Sequence, residues 1–509
     1  MNPERARQLA SPALQRLLVT IFIMMATIMQ VLDITIANVS LPYMQGSLSA
    51  TLDQVSWVLT SYVVAAAVMT SPVGWLATRY GIKKLLIVCV TGFTVASMLC
   101  GVAQNIEEMV LFRVLQGMFG AALVPLSQAV MLEIYPPERR GWAMSLWGMG
   151  VMIGPIMGPI LGGWLTEYYN WRWIFFINLP VGIVTVLGII TFMRETQENR
   201  GLAFDWIGFA TLSIAIGALQ LMLDRGEQLG WFEADEIVAM AIVSAVAFYF
   251  FIAHSLTTAN PFISIDIFRD RNFILGLTFM FVCGVMLVAS MALMAPMLQG
   301  LMGYPIIDAG LLLATRGSGM AISMLFAGRI MMLVDARFIL AFGLLCCTVS
   351  LYFATDFTPD TATYTIVWTS MLQGLGLGFM FVPLNTIALA TVPVALRTQG
   401  TAMWTLIRNL GSSIGVSIVI ANLTNKTIMM RAHLAESITP FNQALADPGA
   451  AMLDPATDTG RALLENLITQ QATIIAYAND FKLMMVATLL VLPLIVLFRT
   501  SKHDYAAAR

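Results

Sequence analysis

Long apolar runs dominate this chain, and they decide the medium in which it folds. Of its 509 residues, 58% are hydrophobic and only 11% are charged, whereas soluble domains carry about 25% charged residues. A helix needs about 20 mostly apolar residues to cross the hydrocarbon core of a bilayer. By this measure the sequence predicts an all-α integral membrane protein with fourteen transmembrane helices. The predicted spans are 17–41, 55–77, 85–104, 109–132, 142–165, 173–193, 206–223, 237–255, 273–294, 306–332, 338–353, 364–389, 401–423 and 481–497.

The distribution of basic residues indicates the orientation in the membrane. An even number of spans places both termini on one side, and Lys and Arg accumulate in cytoplasmic loops. With the N-terminus inside, most of the 27 Lys and Arg fall in inside segments, and the short outside loops hold only Arg172 and Arg225. Both termini are therefore predicted to be cytoplasmic. The basic start, with Arg5, Arg7 and Arg16, imitates a signal peptide, but the apolar run is too long and further spans follow, so we interpret it as an uncleaved first span.

One sizeable polar region interrupts this pattern, an external loop at about 425–480. It contains Pro440, Pro448 and Pro455, and its later part places apolar residues at helical spacing, which predicts an amphipathic helix. That helix either rests on the membrane or on the transporter itself, or it docks a partner protein. The apolar residues concerned are Leu463, Leu464, Leu467, Ile468, Ile474 and Ile475.

Composition argues against several other classes of function. The net charge is −2 and the cations form no basic face, so nothing indicates nucleic-acid binding. Five cysteines lie in apolar segments without a Cys-x-x-Cys pair, and three histidines are scattered, so no metal site is expected. We find no nucleotide-binding loop and no Ser-His-Asp set. The sequence therefore favours a secondary transporter without a cofactor over a membrane enzyme or receptor.

Two sequence echoes indicate an internal repeat. The cytoplasmic loops that begin at Gly74 and Gly328 each place a cation nine residues later, and the segments 115–117 and 372–374 share the sequence Leu-Gln-Gly, each followed by Val-Pro-Leu. In both cases the second copy lies eight predicted spans after the first copy. We therefore predict a six-helix half over 1–198, two inserted helices over 199–258 and a second six-helix half over 259–509, which includes the long external loop. Transporters built from such repeats bind substrate where the repeats meet.

An acidic residue within the first span points to the chemistry of transport. Asp33 lies 16 residues into span 1, roughly 24 Å at helical rise. Arg113 lies near the outer end of span 4, so the two charges can share a depth. A carboxylate buried at that level is costly unless it faces water, a partner charge or a proton pathway. Asp33 is thus a candidate proton carrier, or half of a static ion pair. Ser370 occupies the position in the second half that corresponds to Arg113 in the first, so the repeat is asymmetric at this position.

Other polar residues within the spans are candidates for a substrate or polar pathway. Gln30 precedes Asp33 by three residues and shares its helix face, so it is expected to hydrogen-bond the acid or a substrate. Arg408 lies near the inner end of span 13, where it either reaches the membrane surface or serves transport. Arg316 lies in the middle of span 10, and the sequence assigns it no partner.

Glycines recur every four residues along the fifth span. This spacing places small residues on one helix face and lets helix backbones approach closely, while the two prolines permit bending. Helix packing alone, without a role in transport, would also explain this spacing. The residues are Gly150, Gly154, Pro155, Gly158, Pro159, Gly162 and Gly163.

Taken together, these segments resemble the major facilitator superfamily, and most closely its fourteen-span drug:proton antiporters of the EmrB type. The resemblance covers nearly the whole chain. Residues 32–42 resemble the family's first-span motif, with Ser40 where alanine is usual; 74–85 resemble the motif between spans 2 and 3; 111–117 resemble the span 4 motif; and 150–163 resemble the antiporter motif, which favours export. The motif residues outside span 5 are Asp33, Asn38, Arg113, Gln116, Gly74, Arg79, Gly81, Lys83 and Lys84, with Gly328, Asp335 and Arg337 in the second-half copy.

One position departs from the family pattern. The motif between spans 2 and 3 usually carries an acid four residues after its first glycine, and here that residue is Thr78. In the family the acid helps to latch the two halves in the outward-open state. The second half keeps an acid, Asp335, in its copy of the motif.

The resemblance implies proton-driven export of hydrophobic or amphipathic drugs across the inner membrane of a bacterium. Asp33 would carry the proton and Arg113 would modulate it, with Gln116 and Asn38 on the polar pathway. Pumps of this type work with a periplasmic adaptor and an outer-membrane channel, and the long external loop is the expected contact. The 35 methionines suit variable ligands. A dedicated exporter of one metabolite, siderophore or lipid is the alternative on the same scaffold.

Overall fold

The computed structural model describes residues 12–136, 139–196, 201, 203–258, 261–393, 396–438, 453 and 456–498. Within these ranges the chain forms seventeen α-helices and no strand. The helices are α1 Pro12–Ser47, α2 Leu52–Thr70, α3 Val73–Tyr80, α4 Ile82–Val102, α5 Ile106–Gly120, α6 Leu123–Ile134, α7 Arg140–Tyr168, α8 Trp173–Phe176, α9 Asn178–Phe192, α10 Trp206–Arg225, α11 Asp235–Thr257, α12 Arg271–Pro296, α13 Ile306–Ile330, α14 Ala336–Ala354, α15 Thr363–Ala390, α16 Arg397–Ala435 and α17 Asp458–Val491.

Each predicted span falls on one of these helices or on a consecutive pair. In the described part of the chain, twelve helices are long and apolar enough to cross a membrane, or thirteen if the bent pair α2 and α3 is one span. The span predicted at 142–165 falls on α7, which has 29 residues. The total of fourteen and the cytoplasmic termini stay predictions, because 1–11 and 499–509 lie outside the described residues.

Local sequence signals explain where several helices begin and break. Thr51 forms a capping box with Gln54 at the start of α2, and Asn105 accepts a hydrogen bond from the Glu108 amide at the start of α5. Span 2 bends by 54° between α2 and α3, where Pro72 lacks an N–H and cannot continue the helical bonding. Gly81 then turns the chain into α4 with φ +87°, a conformation that favours glycine.

Helix packing follows the repeat that the sequence predicts. In the first half α1 packs against α7 and α9, α2 against α5, and α4 against α5 and α9. The same pairs recur eight spans later, as α12 with α16 and α17, α13 with α15, and α14 with α15 and α17. Helices α10 and α11 pack against each other, and α10 also packs against α2 and α16. This is the arrangement expected of two six-helix halves with two additional helices between them in sequence.

Asp205 fastens the additional helices to the start of the second half. Its carboxylate caps α10 through the Gly208 amide at 2.9 Å, lies 2.8 Å from His254 Nε2 on α11 and accepts the Phe262 amide at 3.0 Å. Burial by itself would raise the pKa of Asp205, but these hydrogen bonds outweigh it and hold the pKa below its ordinary value. The carboxylate is therefore ionised near neutral pH and joins three segments of chain.

The two halves meet along the ends of the spans that the topology assigns to the cytoplasm. Gly74, at the inner end of span 2, lies against Gln399 of α16. Symmetrically, Gly328 at the inner end of α13 lies against the backbone of Gly141 in α7. The Trp147 ring stacks on Phe381, with centroids 5.9 Å apart and 11° between the planes. The structure is thus closed on the predicted cytoplasmic side.

The predicted external loop at 425–480 is much shorter than the sequence suggested. Helix α16 continues to Ala435, and α17 begins at Asp458, well before the predicted span at 481–497. The amphipathic segment is helical as predicted, but it is continuous with the last span because no glycine or proline interrupts 461–492. An Arg431–Glu465 ion pair joins the two extensions. The three predicted loop prolines, Pro440, Pro448 and Pro455, lie outside the described residues.

Candidate proton and substrate site

Asp33 and Arg113 form an ion pair inside the first half. Asp33 projects from α1 and Arg113 from α5, and their side chains are both fully buried. Arg113 Nη1 lies 2.6 Å from Asp33 Oδ2. Helix α5 packs on α2 and α4, and α1 packs on α9, so these elements bring the two charges to one depth. The shared depth estimated from helical rise is therefore what the structure shows.

Two amides complete the shell around the carboxylate. Gln116 Nε2 donates to Asp33 Oδ1 at 2.7 Å, and Asn178 Nδ2 donates to the same oxygen at 3.1 Å. Arg113 is itself fixed, since its Nε donates to the Val58 carbonyl at 2.9 Å and its Nη1 to Gln116 Oε1 at 2.8 Å. Buried charges are stable only when paired and hydrogen-bonded. Loading a proton on Asp33 would remove its charge and so weaken its contacts with Arg113, Gln116 and Asn178.

Aromatic rings cover the guanidinium. Arg113 Cζ lies 4.3 Å from the centroid of the Tyr62 ring and 5.7 Å from that of Phe175, which is cation–π geometry. Gln30 Nε2 donates to Tyr62 Oη at 3.4 Å. Gln30 thus joins the site through Tyr62 and makes no hydrogen bond to the acid, while the other predicted role, a hydrogen bond to substrate, stays a prediction. Arg113, Gln116 and Asn178 already occupy the carboxylate oxygens, so the Gln30 amide turns toward α2.

Sequence reasoning missed several side chains of this site, among them Asn178, Ser97 and Tyr62. Asn178 Nδ2 also donates to Ser97 Oγ at 2.9 Å, and Ser97 Oγ donates to the Phe175 carbonyl at 2.8 Å. These residues come from α9, α4 and α2. The sequence did contain a signal for Asn178, because a side-chain amide within an apolar span needs a hydrogen-bond partner, as a charged side chain does. Ser97 and Tyr62 are ordinary in such helices and had none.

The remaining candidates for the polar pathway lie away from Asp33. Asn38 is exposed on α1 and stands outside this hydrogen-bond network. Arg408 is half-buried on α16, and its Nη2 lies 3.5 Å from Asn409 Oδ1. Arg316 on α13 is 8% exposed. Its Nη2 donates to the Leu287 carbonyl at 2.6 Å, and its Nη1 donates to the Ser290 hydroxyl.

The loop after span 2 is tied to the first half by Lys83, and Thr78 supplies no acidic latch. Lys83 Nζ donates to the carbonyls of Ile190 and Met193, both at 2.8 Å, which ties the loop to the end of α9. Arg79 Cζ lies 5.3 Å from the Trp75 ring centroid. Thr78 Oγ1 donates back to the Gly74 carbonyl at 2.9 Å within its own helix. A hydroxyl at this position cannot form an ion pair with the second half.

The second-half copy of the loop motif uses its acid as a helix cap. Asp335 Oδ1 accepts the Arg337 amide at 2.9 Å at the start of α14. Arg337 Nη2 donates to the Phe498 carbonyl near the end of the described chain. Asp335 therefore has a local structural role here. Gly328 holds the close approach to the first half at Gly141.

The glycines of span 5 lie against span 1, the helix that carries Asp33. A Cβ atom added to Gly154, Gly158 or Gly162 would collide with Val31, Thr35 or Ile36 of α1. Gly150 similarly faces Met24, whereas Gly163 faces open space. Thr35 Oγ1 also donates to the Gly154 carbonyl at 3.0 Å. Helices α1 and α7 are thus in backbone-level contact along the predicted face; the side chains of Pro155 and Pro159 lie outside the described residues.

Known proteins similar to this chain agree with this architecture. A family model described as Major Facilitator Superfamily matches residues 23–416. The multidrug export protein EmrB of Escherichia coli (strain K12) is 38% identical over 431 residues, 84% of each chain. The fatty acid resistance protein FarB of Neisseria gonorrhoeae is 35% identical over 492 residues, 96% of each chain. A crystal structure of the human organic anion transporter MFSD10 (TETRAN) has a TM-score of 0.57 and 12% identity, covering 93% of this chain and 99% of that one.

The human transporter, at 12% identity, shows a shared fold and no more. The family model and the bacterial relatives go further, since they match most of the chain, including α1, α5 and α7, which carry the ion pair and the glycine face. This chain therefore belongs to the major facilitator superfamily and, within it, to the multidrug efflux transporters of the EmrB type.

Proposed function

We propose that this multi-pass membrane transporter exports hydrophobic or amphipathic compounds in exchange for external protons, with Asp33 as the proton carrier and Arg113 as its modulator. One observation carries the proposal: a fully buried carboxylate held by an arginine and two amides within the first half. A carboxylate so enclosed is functional far more often than not in a membrane protein. Its two protonation states differ in the contacts that Asp33 makes with Arg113 and Gln116 of α5 and with Asn178 of α9.

The coupling route runs along α1. Asp33 is held by α5 and α9, while Val31 and Thr35, two residues away on either side, press against the glycines of α7. When Asp33 is ionised, its ion pair and amide bonds hold α1 against α5. Protonation removes the charge that Arg113 binds, so α1 is free to move relative to α5 and to carry α7 with it. Since α7 lies against α13 of the second half, a shift of α1 reaches the interface where the halves meet.

The two curated relatives favour different substrate ranges. One is named for multidrug export and the other for fatty acid resistance. Broad export of amphipathic compounds is our first proposal, and a narrow exporter of one amphipathic lipid or metabolite is the second. A resistance panel separates them: resistance to several unrelated hydrophobic compounds supports the first, and resistance to one chemical series supports the second.

By family resemblance we extend the proposal to the cell. The chain would lie in the inner membrane of a bacterium and deliver its substrate to a periplasmic adaptor and an outer-membrane channel. The paired extensions of α16 and α17, joined by Arg431 and Glu465, are the external feature that such an adaptor would meet. Co-purification of an adaptor by the intact chain, and its loss when the extensions are shortened together, tests this arrangement.

Substrate-induced proton release from the purified transporter tests the central proposal. Wild-type protein is titrated with a hydrophobic substrate in weakly buffered detergent, and the change in pH is recorded. We expect release from wild type and none from Asp33→Asn, which keeps the side-chain shape but cannot titrate. Glu107→Gln is the matched control, because this carboxyl is exposed on the same helix as Arg113 and its loss should leave release unchanged. Normal release from Asp33→Asn would refute the assignment.

A further inference from the structure

A buried arginine in the second half has no acidic partner among the described residues. Arg316 is 8% exposed in the middle of α13, and no Asp or Glu of the described chain lies within ion-pair distance of it. Its hydrogen-bond acceptors, the Leu287 carbonyl and the Ser290 hydroxyl, are neutral. An arginine cannot discharge its proton to escape this cost. A cation kept at this depth without a counter-charge marks a place where an anion is favoured.

The position of Arg316 in the repeat relates it to the site of the first half. A Cβ atom on Gly117 would meet the Tyr62 carbonyl, and a Cβ atom on Gly374 would meet the Arg316 carbonyl. Gly117 and Gly374 end the two Leu-Gln-Gly echoes, so Arg316 stands where the first half has Tyr62. The first half supplies its cation from α5 and balances it with Asp33. The second half supplies a cation from α13 and leaves it unbalanced.

The surroundings of Arg316 suit the apolar part of a ligand. Arg316 lines a small cavity of about 20 Å³, whose other walls are Met152, Leu287, Met291, Leu313 and Met320, with Gly317. Met152 belongs to α7 of the first half, so the cavity lies between the halves, where repeat transporters bind substrate. Flexible thioether side chains fit ligands of variable shape. Separation of α7 and α13, which carry Met152 and Arg316, would widen this cavity.

We propose that Arg316 binds the acidic headgroup of an anionic amphipathic substrate, while the methionine and leucine walls hold its apolar chain. This inference rests on the proposed export function and specifies one substrate class for it, an acid with a single apolar tail. The planar guanidinium has donors beyond those given to Leu287 and Ser290, and it can take a carboxylate through charge-assisted hydrogen bonds. The bound anion would supply the counter-charge that the described chain does not.

Equilibrium binding of a matched pair of probes tests this assignment. Radiolabelled laurate and dodecanol have the same apolar chain, and only laurate is charged at about pH 8. Both are measured by scintillation proximity on the purified full chain in an uncharged maltoside detergent. We expect wild type to bind laurate about tenfold or more tightly than dodecanol. Arg316→Gln should lose that preference with unchanged dodecanol affinity, and Arg316→Lys should keep part of it.

The control variant is Arg329→Gln, which removes an exposed arginine of the same helix and should retain the preference for laurate. Two results would overturn the proposal: a laurate preference that survives in Arg316→Gln, or the loss of both probes in Arg316→Gln and Arg316→Lys alike. Binding needs no proton gradient. A negative result in this experiment can therefore be told apart from a negative result in the proton-release assay on Asp33→Asn.

A second arm separates a free amphiphile from a membrane lipid. Laurate binding is repeated in phosphatidylcholine nanodiscs with and without phosphatidylglycerol. Unchanged affinity supports a transported free acid. Displacement of laurate by phosphatidylglycerol would identify a lipid headgroup as the occupant and overturn the substrate role.

Discussion

The two halves of this transporter place a buried arginine on equivalent helix pairs but balance its charge differently. In the first half Arg113 of α5 pairs with Asp33, and Gln116 and Asn178 share the carboxylate. In the second half the hydrogen bonds that Arg316 of α13 donates within the described chain go to neutral oxygens. The helix packing around the two sites is nearly the same, since Gly117 and Gly374 make the same close approach.

This contrast separates the roles that a buried charge can have. A balanced pair can change its state by taking up a proton, because the proton removes one member of the pair. An unbalanced cation keeps its charge and attracts an anion from outside the protein. The repeat thus preserves packing, whereas a few substitutions in one half redirect the chemistry. Coupling is proposed for the first half and substrate binding for the second.

Removing each arginine gives the largest expected difference between the halves. Arg113→Met leaves Asp33 buried without a cation and should cost about 3–5 kcal/mol of stability. Arg316→Met removes an unbalanced charge and should cost less than about 1 kcal/mol or stabilise the fold. Thermal unfolding followed with a maleimide dye, which reacts as the five buried cysteines become exposed, measures both. Equal losses would show that Arg316 is as structural as Arg113.

The amide that sequence reasoning missed should have the next largest effect. Asn178→Ala removes a hydrogen bond to the Asp33 carboxylate, and bonds to charged groups are worth about 1.5–3 kcal/mol. Ser97→Ala is the matched control, because Ser97 touches Asn178 without reaching Asp33 and should cost only about 1 kcal/mol. The same unfolding assay ranks them. If Ser97→Ala proved the more harmful, Asn178 would be a packing residue and not a ligand of the carboxylate.

Alanine at the two equivalent glycines should have similar effects, unlike the arginine variants. Gly117→Ala and Gly374→Ala each drive a Cβ atom into a backbone carbonyl, that of Tyr62 or of Arg316. Overpacking of this kind costs about 1–3 kcal/mol. Gly163→Ala is the control, since a Cβ atom there meets open space. A large difference between Gly117→Ala and Gly374→Ala would mean that the repeat does not preserve packing.

The smallest effect is expected where a polar bond joins the halves. Gln128 Nε2 of α6 donates to Asn385 Oδ1 of α15, and both side chains are fully buried. A double-mutant cycle of Gln128→Ala and Asn385→Ala should give a coupling of about 1 kcal/mol. The coupling should vanish in any state that opens the cytoplasmic side. Strictly additive single mutants would show that the bond contributes nothing to closure.

Depth along a helix could be predicted from sequence, but rotation about its axis could not. Counting residues at helical rise placed Asp33 and Arg113 at one level. The same count could not show that the Gln30 side chain turns to Tyr62. That orientation depends on which other groups donate hydrogen bonds to the carboxylate oxygens of Asp33. The predicted length of the external loop was wrong for a related reason. Sequence marked where the apolar run starts at Phe481, while the helix itself begins at Asp458.

The sequence alone determined the all-helical membrane fold and the one acid within the first span, and it predicted the repeat with its inserted pair of helices. These follow from local physics: lipid requires every backbone group to bond within a helix, and a buried charge stands out against apolar neighbours. Only the tertiary structure decided which partners surround each charge. Asn178 reaches Asp33 from 145 residues away, and Arg316 is unbalanced because no carboxylate of the described chain packs beside it. Such pairings depend on how helices lie against one another, which residue order does not encode locally.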